Sequence, residues 1–165
     1  MNNIYVIGDP HFGHHNIIEY CNRPFKNIET MDKYMITEWN KVVSEEDIVY
    51  LFGDFALCNT RRYIYIAKRL NGKIHLIRGN HDQQSKTKII ERMGFESVQD
   101  SLIIDGLLFT HYPEKNSPYF NVHGHTHNMR SNDPKHFCVS TELLNYKPIS
   151  LKELKRRINR LTNKF

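Results

Sequence analysis

Ile74-His75-Leu76-Ile77-Arg78-Gly79-Asn80-His81-Asp82 decides how the chain is read. Four residues, three of them large and apolar, form a short buried strand, and the glycine that follows opens a turn carrying an amide, an imidazole and a carboxylate. The same grammar occurs twice upstream. Ile4-Tyr5-Val6-Ile7 runs into Gly8-Asp9-Pro10-His11, and Ile48-Val49-Tyr50-Leu51-Phe52 runs into Gly53-Asp54. Between these strands lie helical patterns. Met31, Tyr34, Met35, Trp39 and Val42 mark a helix over residues 31–43 with Thr30 as N-cap. Tyr63, Ile64, Ala67 and Leu70 mark another over 60–70. The first half therefore reads β-α-β-α-β, followed by a short helix over 85–93 that Gly94 stops.

The second half reads differently. Ser101–Ile104 and Leu107–His111 flank Asp105-Gly106, a two-residue hairpin signal. Phe120–Gly124 and Phe137–Ser140 are further strands, and hairpins are expected to join this half. The last element is a basic amphipathic helix, about 150–163. Ser150 is its N-cap, Glu153 completes a capping box, and Leu151, Leu154, Ile158 and Leu161 form its apolar stripe. There is no repeat or linker, so one α/β domain over residues 1–165 with two packed sheets is expected.

Composition excludes several classes. With 39% apolar residues the chain is neither disordered nor membrane-spanning. Met1-Asn2-Asn3-Ile4 lacks the features of a signal peptide, and Cys21, Cys58 and Cys138 are odd in number and widely spaced. A cytoplasmic protein with reduced thiols is expected. Of the net charge of +5, all is accounted for by residues 152–164, which carry six basic groups against Glu153; the remainder balances at 17 basic and 17 acidic. That stretch reads as the solvated face of a docked helix, with attraction to nucleic acid as the alternative.

The chemistry lies in five motifs: Asp9-Pro10-His11, Gly53-Asp54, Gly79-Asn80-His81-Asp82, His111, and Gly124-His125-Thr126-His127. Each alone is a common fragment. All five in order, each directly after an apolar strand, place their side chains where strand ends converge. Two carboxylates, one amide oxygen and four imidazoles suit Mn²⁺, Fe²⁺, Zn²⁺ or Ni²⁺, and the absence of thiolates disfavours a closed structural zinc site. Seven donors exceed the needs of one ion and suit two sharing a carboxylate, typically ~3.5–4 Å apart.

With these residues, and with Phe12-Gly13-His14, Arg23-Pro24-Phe25, Trp39-Asn40, Thr110-His111-Tyr112-Pro113 and Tyr146-Lys147-Pro148-Ile149-Ser150-Leu151, the chain resembles the calcineurin-like metallophosphoesterases, within them the small stand-alone enzymes of bacteria and phages. The resemblance implies a four-layer αββα sandwich with two mixed β-sheets. It implies one metal at Asp9, His11, Asp54 and His127 and another at Asp54, Asn80, His111 and His125, with Asp54 bridging. It also implies His81 as a catalytic residue facing the phosphate outside the coordination shell. Two divalent ions, manganese first among them, would acidify a water for in-line attack on phosphorus, with His81 protonating the leaving oxygen. Asp82 would orient His81 or, as the favoured reading, cap the helix near Ser85.

The resemblance departs from the phosphoserine and phosphothreonine phosphatases of the family. Where they carry a second Asp followed by Arg-Gly, this chain has Leu57-Cys58-Asn59. A nucleotide-type or other small phosphodiester is therefore the expected substrate. The alternatives are a nuclease acting on DNA or RNA ends and a non-catalytic binding module of the same fold. Arg23 is a candidate phosphate grip or a surface charge before Pro24, and His14 a candidate substrate contact or an exposed neighbour of the metal loop. Asn40 braces a turn, His75 and His136 are structural, and His123 bonds to backbone. Homodimers are common among the small members.

Overall fold

Alternation along the second strand shows how the layers form. Val49 and Leu51 are fully buried on one face, while Tyr50 and Phe52 project from the other to meet Phe109 of a second sheet, with ring centroids 5.8 and 4.9 Å away. In this computed structural model, which describes residues 2–82, 94–129, 131 and 133–162, both sheets are mixed.

The first sheet contains β1 (Ile4–Ile7), β2 (Ile48–Leu51), β3 (Lys73–Ile77) and β4 (Ser97–Gln99), all parallel, with the last strand β9 (Ile149–Ser150) antiparallel to β1. Its order is β4-β3-β2-β1-β9. The second sheet has β5 (Ser101–Ile104), β6 (Leu107–Thr110), β7 (Phe120–His123) and β8 (His136–Cys138), ordered β5-β6-β7-β8. Helices α1 (Ile17–Tyr20), α2 (Ile28–Val42) and α3 (Thr60–Ala67) fall in the first half, and α4 (Leu151–Thr162) is last. This is the mixed α/β architecture, two mixed sheets with helices, that the resemblance implies.

The hairpin at Asp105-Gly106 forms as expected, with positive φ at both residues (51° and 78°) and β5 antiparallel to β6. Beyond it the expected run of hairpins is replaced: β6, β7 and β8 are parallel. That change matters, because parallel β6 and β7 deliver His111 and His125 to the same edge.

Helix starts differ from expectation in one place. The second helix begins three residues earlier, at Ile28. Asn27 is its N-cap and Thr30 sits at N3, donating its amide to Asn27 Oδ1 at 2.9 Å. Met31, Met35 and Trp39 are its buried stripe. In α4, Ser150 accepts from the Glu153 amide at 3.1 Å, but the Glu153 carboxylate turns to Arg156 and Arg157 instead of closing the box. Leu151, Leu154 and Ile158 pack into the core and the basic groups face outward, whereas Leu161, expected in the same stripe, lies past the docked face and is exposed. The expected helix over 85–93 lies outside the described residues. Among the described residues no helix is long and apolar enough to cross a membrane.

Candidate metal centre

Because β1, β2 and β3 are parallel neighbours, the turns that follow them lie side by side. Asp9 N–H donates to Gly53 O at 3.2 Å and His11 N–H to Asp54 O at 3.0 Å, so the first two motif loops are stitched together past the strand ends. The second sheet joins the same edge. Gly124 N–H donates to His111 O at 3.0 Å, and the His111 ring reaches Phe52 O of the first sheet at 2.9 Å.

The backbone is unusual there. Nine non-glycine residues among those described have positive φ, and five belong to the motifs: Asp9 (53°), His11 (51°), Asp54 (52°), His125 (65°) and His127 (48°). Each such conformation costs on the order of 1–3 kcal/mol and persists only where the surroundings enforce it. The strain aims consecutive functional side chains into one volume. Two glycines allow the close approach. A Cβ on Gly124 would stand 2.7 Å from Asp9 Oδ2 and from Phe52 O, and one on Gly79 would collide with the Asp54 carboxylate and amide.

The donors gather in two linked groups. Asp9, His11 and His127 offer ligand atoms within 4.8 Å of one another, as do Asp54, His111 and His125. Asp54 Oδ2 lies between the groups, 3.5 Å from His11 Nε2 and 3.6 Å from His111 Nε2. Asn80 Oδ1 is 2.9 Å from His111 Nε2. The sequence-predicted donors thus all come together. His81, expected outside the ligand set, also falls within 4.8 Å of donor atoms of His11 and Asp54.

The donor set fits cations on its own chemistry. Both ring nitrogens of His11 are buried without a hydrogen-bond partner, a rare and costly condition that an ion would relieve. With Nδ1–H donated to Phe52 O, His111 turns its Nε2 lone pair toward the oxygens of Asn80 and Asp54. Acceptors converging on one point are what a cation requires. Neighbouring groups orient these donors, as such partners do in metal proteins. Asp9 accepts from the His125 amide (3.0 and 2.9 Å) and from Ser140 Oγ (2.5 Å). Asp54 Oδ1 accepts from the His81 amide at 2.8 Å.

Charge follows burial. Burial pushes Asp9 up to about 6, against the pull of His111 and His127. Burial, with Arg23 and the neighbouring imidazoles, drives His11 far down, so it stays neutral. Burial also pulls His127 down, but hydrogen bonds with Cys21 and Glu142 and the charges of Glu142 and Asp9 prevail and carry it to about 10.

Two expectations are corrected. Arg23 neither grips phosphate nor decorates the surface. It is 4% exposed, donates to Asp9 O at 2.8 Å and Pro10 O at 2.7 Å, and pairs with Glu142 at 2.6 Å. Glu142 in turn sits 3.1 Å from His127 Nδ1. Arg23 therefore braces the first metal loop and, through Glu142, His127. Asp82 does not reach for His81, and the helix near Ser85 that it is expected to cap lies outside the described residues. Its buried carboxylate accepts from the amides of Asp54 (2.6 Å), Gly79 (3.0 Å) and Phe55 (3.3 Å), clamping the loops after β2 and β3. Glu142 and Ser140 were missed because Ser140-Thr141-Glu142 matches no motif and both act across more than a hundred residues of sequence.

The residues read as structural are placed in structural contacts. Asn40 bridges Arg69 O and the Asn71 amide, His75 bonds Ser97, and His123 Nδ1 bonds Gly124 O. His136, buried, faces Asp133. His14 is half-buried at the lip of a cleft of about 500 Å³ that contains His11, Asp54, Asn80, His81 and His125. A larger groove of about 700 Å³ between α2 and α3 contains none of the candidate donors.

Known proteins resemble this chain to different degrees. An uncharacterized protein of Methanocaldococcus jannaschii is 40% identical over 165 aligned residues, covering 92% of this chain and 88% of that protein. The gene 66 protein of Mycobacterium phage L5 is 31% identical over half of this chain and 41% of its own length. Among solved structures, a protein of unknown function from Aquifex aeolicus superposes with a TM-score of 0.74 at 27% identity, over 94% of this chain and 99% of the other. The nuclease MPE of Pseudomonas putida superposes with a TM-score of 0.54 at 19% identity, over 75% and 61%, a likeness of fold. The sequence pattern described as calcineurin-like phosphoesterase matches residues 3–157, so the chain belongs to that family.

Proposed function

We propose that this phosphoesterase-family protein is a phosphodiesterase working with two divalent ions, manganese first among them. The observation that carries the reading is Asp54 Oδ2 standing 3.5 Å from His11 and 3.6 Å from His111, at the junction of two donor groups. In this reading Asp9, His11, Asp54 and His127 hold one ion, and Asp54, Asn80, His111 and His125 the other. Bound there, the ions neutralise phosphate charge and acidify water enough to supply a nucleophile near neutral pH. The protein's part is to bind, orient and move protons. His81, anchored by its amide on Asp54, places an imidazole beside the donors to protonate the leaving oxygen. His14, at the lip, contacts the substrate.

The diester preference rests on charge. A monoester carries close to two negative charges near neutral pH. Among the described residues lining the cleft there is no Arg or Lys to balance the second, and Arg23 is engaged elsewhere. A monoanionic diester suits such a site. Cys21, Cys58 and Cys138, none of them in a disulfide, favour a reducing, cytoplasmic setting.

A nuclease acting on DNA or RNA ends is the second reading, supported by the fold shared with a nuclease and by the basic helix. It is weakened because Lys155 is paired with Asp105 and Arg156 and Arg157 with Glu153.

The test is to strip metals, reload Mn²⁺ and compare bis-p-nitrophenyl phosphate with p-nitrophenyl phosphate. Turnover of the diester well above the monoester is expected. Comparable turnover of both overturns the preference. Loaded metals without turnover of either favour a binding module.

A further inference from the structure

The rim of the cleft carries apolar surface that the reading above leaves unused. Among the described residues nine large hydrophobic side chains are more than a third exposed, and three of them stand at this site: Tyr20 (72%), Met129 (70%) and Tyr112 (51%). Tyr20 and Met129 line the cleft itself. The Tyr20 ring lies 6.2 Å from His14, which is 5.5 Å from His11 of the first donor group. The Tyr112 ring lies 4.4 Å from His125 and 4.9 Å from His111, both of the second group. An exposed aromatic therefore flanks each donor group. Solvent-exposed tyrosine is ordinary; two bracketing one cluster of candidate ligands, with a thioether lining the same cleft as Tyr20, form a platform for flat rings.

We infer that Tyr20, with Met129, and Tyr112 form two stacking positions, one on each side of the reacting phosphorus, for a dinucleoside-type phosphodiester. This rests on the diesterase reading and narrows it. A substrate bridging the site would place its phosphate over the donors and one base on each tyrosine. Stacking is tolerant of base identity because every base presents a π-face. A cyclic mononucleotide, with a single base, would use only one position. A free dinucleotide and a nucleic-acid strand share the required chemistry, and the experiment separates them.

Metal-loaded full-length protein is assayed on two diesters with one leaving group, bis-p-nitrophenyl phosphate and methyl p-nitrophenyl phosphate. The expected KM for the two-ring diester is lower by about tenfold. Tyr20→Ala and Tyr112→Ala each raise that KM severalfold and keep kcat within about twofold, whereas the methyl diester, whose single ring is its leaving group, responds only to the variant that removes the leaving-group position. Tyr20→Phe and Tyr112→Phe retain wild-type KM, and metal content is unchanged in all four variants.

Thymidylyl-thymidine, oligothymidylate and 3′,5′-cyclic AMP complete the test. Cleavage of the free dinucleotide assigns that source, and cleavage of the oligonucleotide alone assigns a strand. Equal KM for the two chromogenic diesters overturns the stacking positions while the diesterase reading stands. So does a kcat loss on both diesters alike, or a preference for the cyclic nucleotide. Monoester turnover without turnover of any diester overturns the diesterase reading itself.

Discussion

The two sheets equip the centre differently. The loops of the first sheet supply oxygen donors, Asp9, Asp54 and Asn80, together with His11; the loops of the second supply His111, His125 and His127 alone. Each sheet's donors are held largely by the other. Asp9 of the first is fixed by the His125 amide and Ser140 hydroxyl, and His111 of the second by Phe52 O. Asp54 is one exception, since its clamps, the His81 amide and the Asp82 carboxylate, come from its own sheet, and His127 is another, held by Glu142 just past β8. The docking of the sheets thus sets most of the ligand geometry, and a fault in one half is expected to appear in the other.

The largest break should come at the junction. Asp54→Ala is expected to reduce turnover to background and to lower metal content at both positions, read by elemental analysis of reloaded protein. Loss of one ion with the other retained would mean that Asp54 serves a single group. Next is His81, the first-sheet imidazole expected outside the ligand set. His81→Ala should cut turnover by about 10²–10⁴-fold with metal content intact. Lost metal would instead make His81 a ligand, which its proximity to His11 and Asp54 permits.

A sharper comparison sets two imidazoles of the second sheet side by side. His111 is oriented by a main-chain carbonyl, His127 by the Glu142 side chain, itself buried against Arg23. Glu142→Gln should weaken metal affinity by about 10–100-fold. Arg23→Ala strips buried Glu142 of one of its two partners, leaving only His127, and frees the Asp9 and Pro10 carbonyls, and should destabilise the fold by about 3 kcal/mol, read by denaturant melts.

Proton release is a smaller effect. Without metal, His127 titrates at about 10 and is charged at pH 8, so loading should expel close to one proton, seen by calorimetry in two buffers of different ionisation heat. Affinity should rise with pH toward 10 and fall further below about 6, where Asp9 also takes a proton. The sign for stability is opposite. The folded value for His127 lies above its ordinary 6.5, so its contribution to the metal-free fold is complete below that pH and disappears through about 10. Last, Lys152→Gln with Arg160→Gln should leave diester turnover within about twofold; a steep salt dependence that the pair abolishes would revive the nuclease reading. Deleting α4 would not serve, because Leu154 is fully buried.

Much of the site was legible because its signals are local. A strand that ends in glycine and a carboxylate or imidazole announces a loop with chemistry, whatever lies across from it. Arg23 and Glu142 were opaque for the opposite reason. An arginine before proline looks like surface charge until its guanidinium meets a carboxylate 119 positions away and the carbonyls of Asp9 and Pro10. Strands β4 and β9, three and two residues long, are too short for a period to show.

The sequence alone determined the strand-end motifs, the hairpin at Asp105-Gly106, the docked face of the last helix and the identity of the candidate donors. Each depends on side-chain periodicity or turn chemistry within a few residues. Tertiary structure decided that β6, β7 and β8 run parallel, that Asp54 stands between two groups, that Asp82 clamps loops, and that Arg23 is an internal brace. Those outcomes depend on hydrogen bonds between strands and loops far apart in sequence, and only the docking of two sheets brings them within reach.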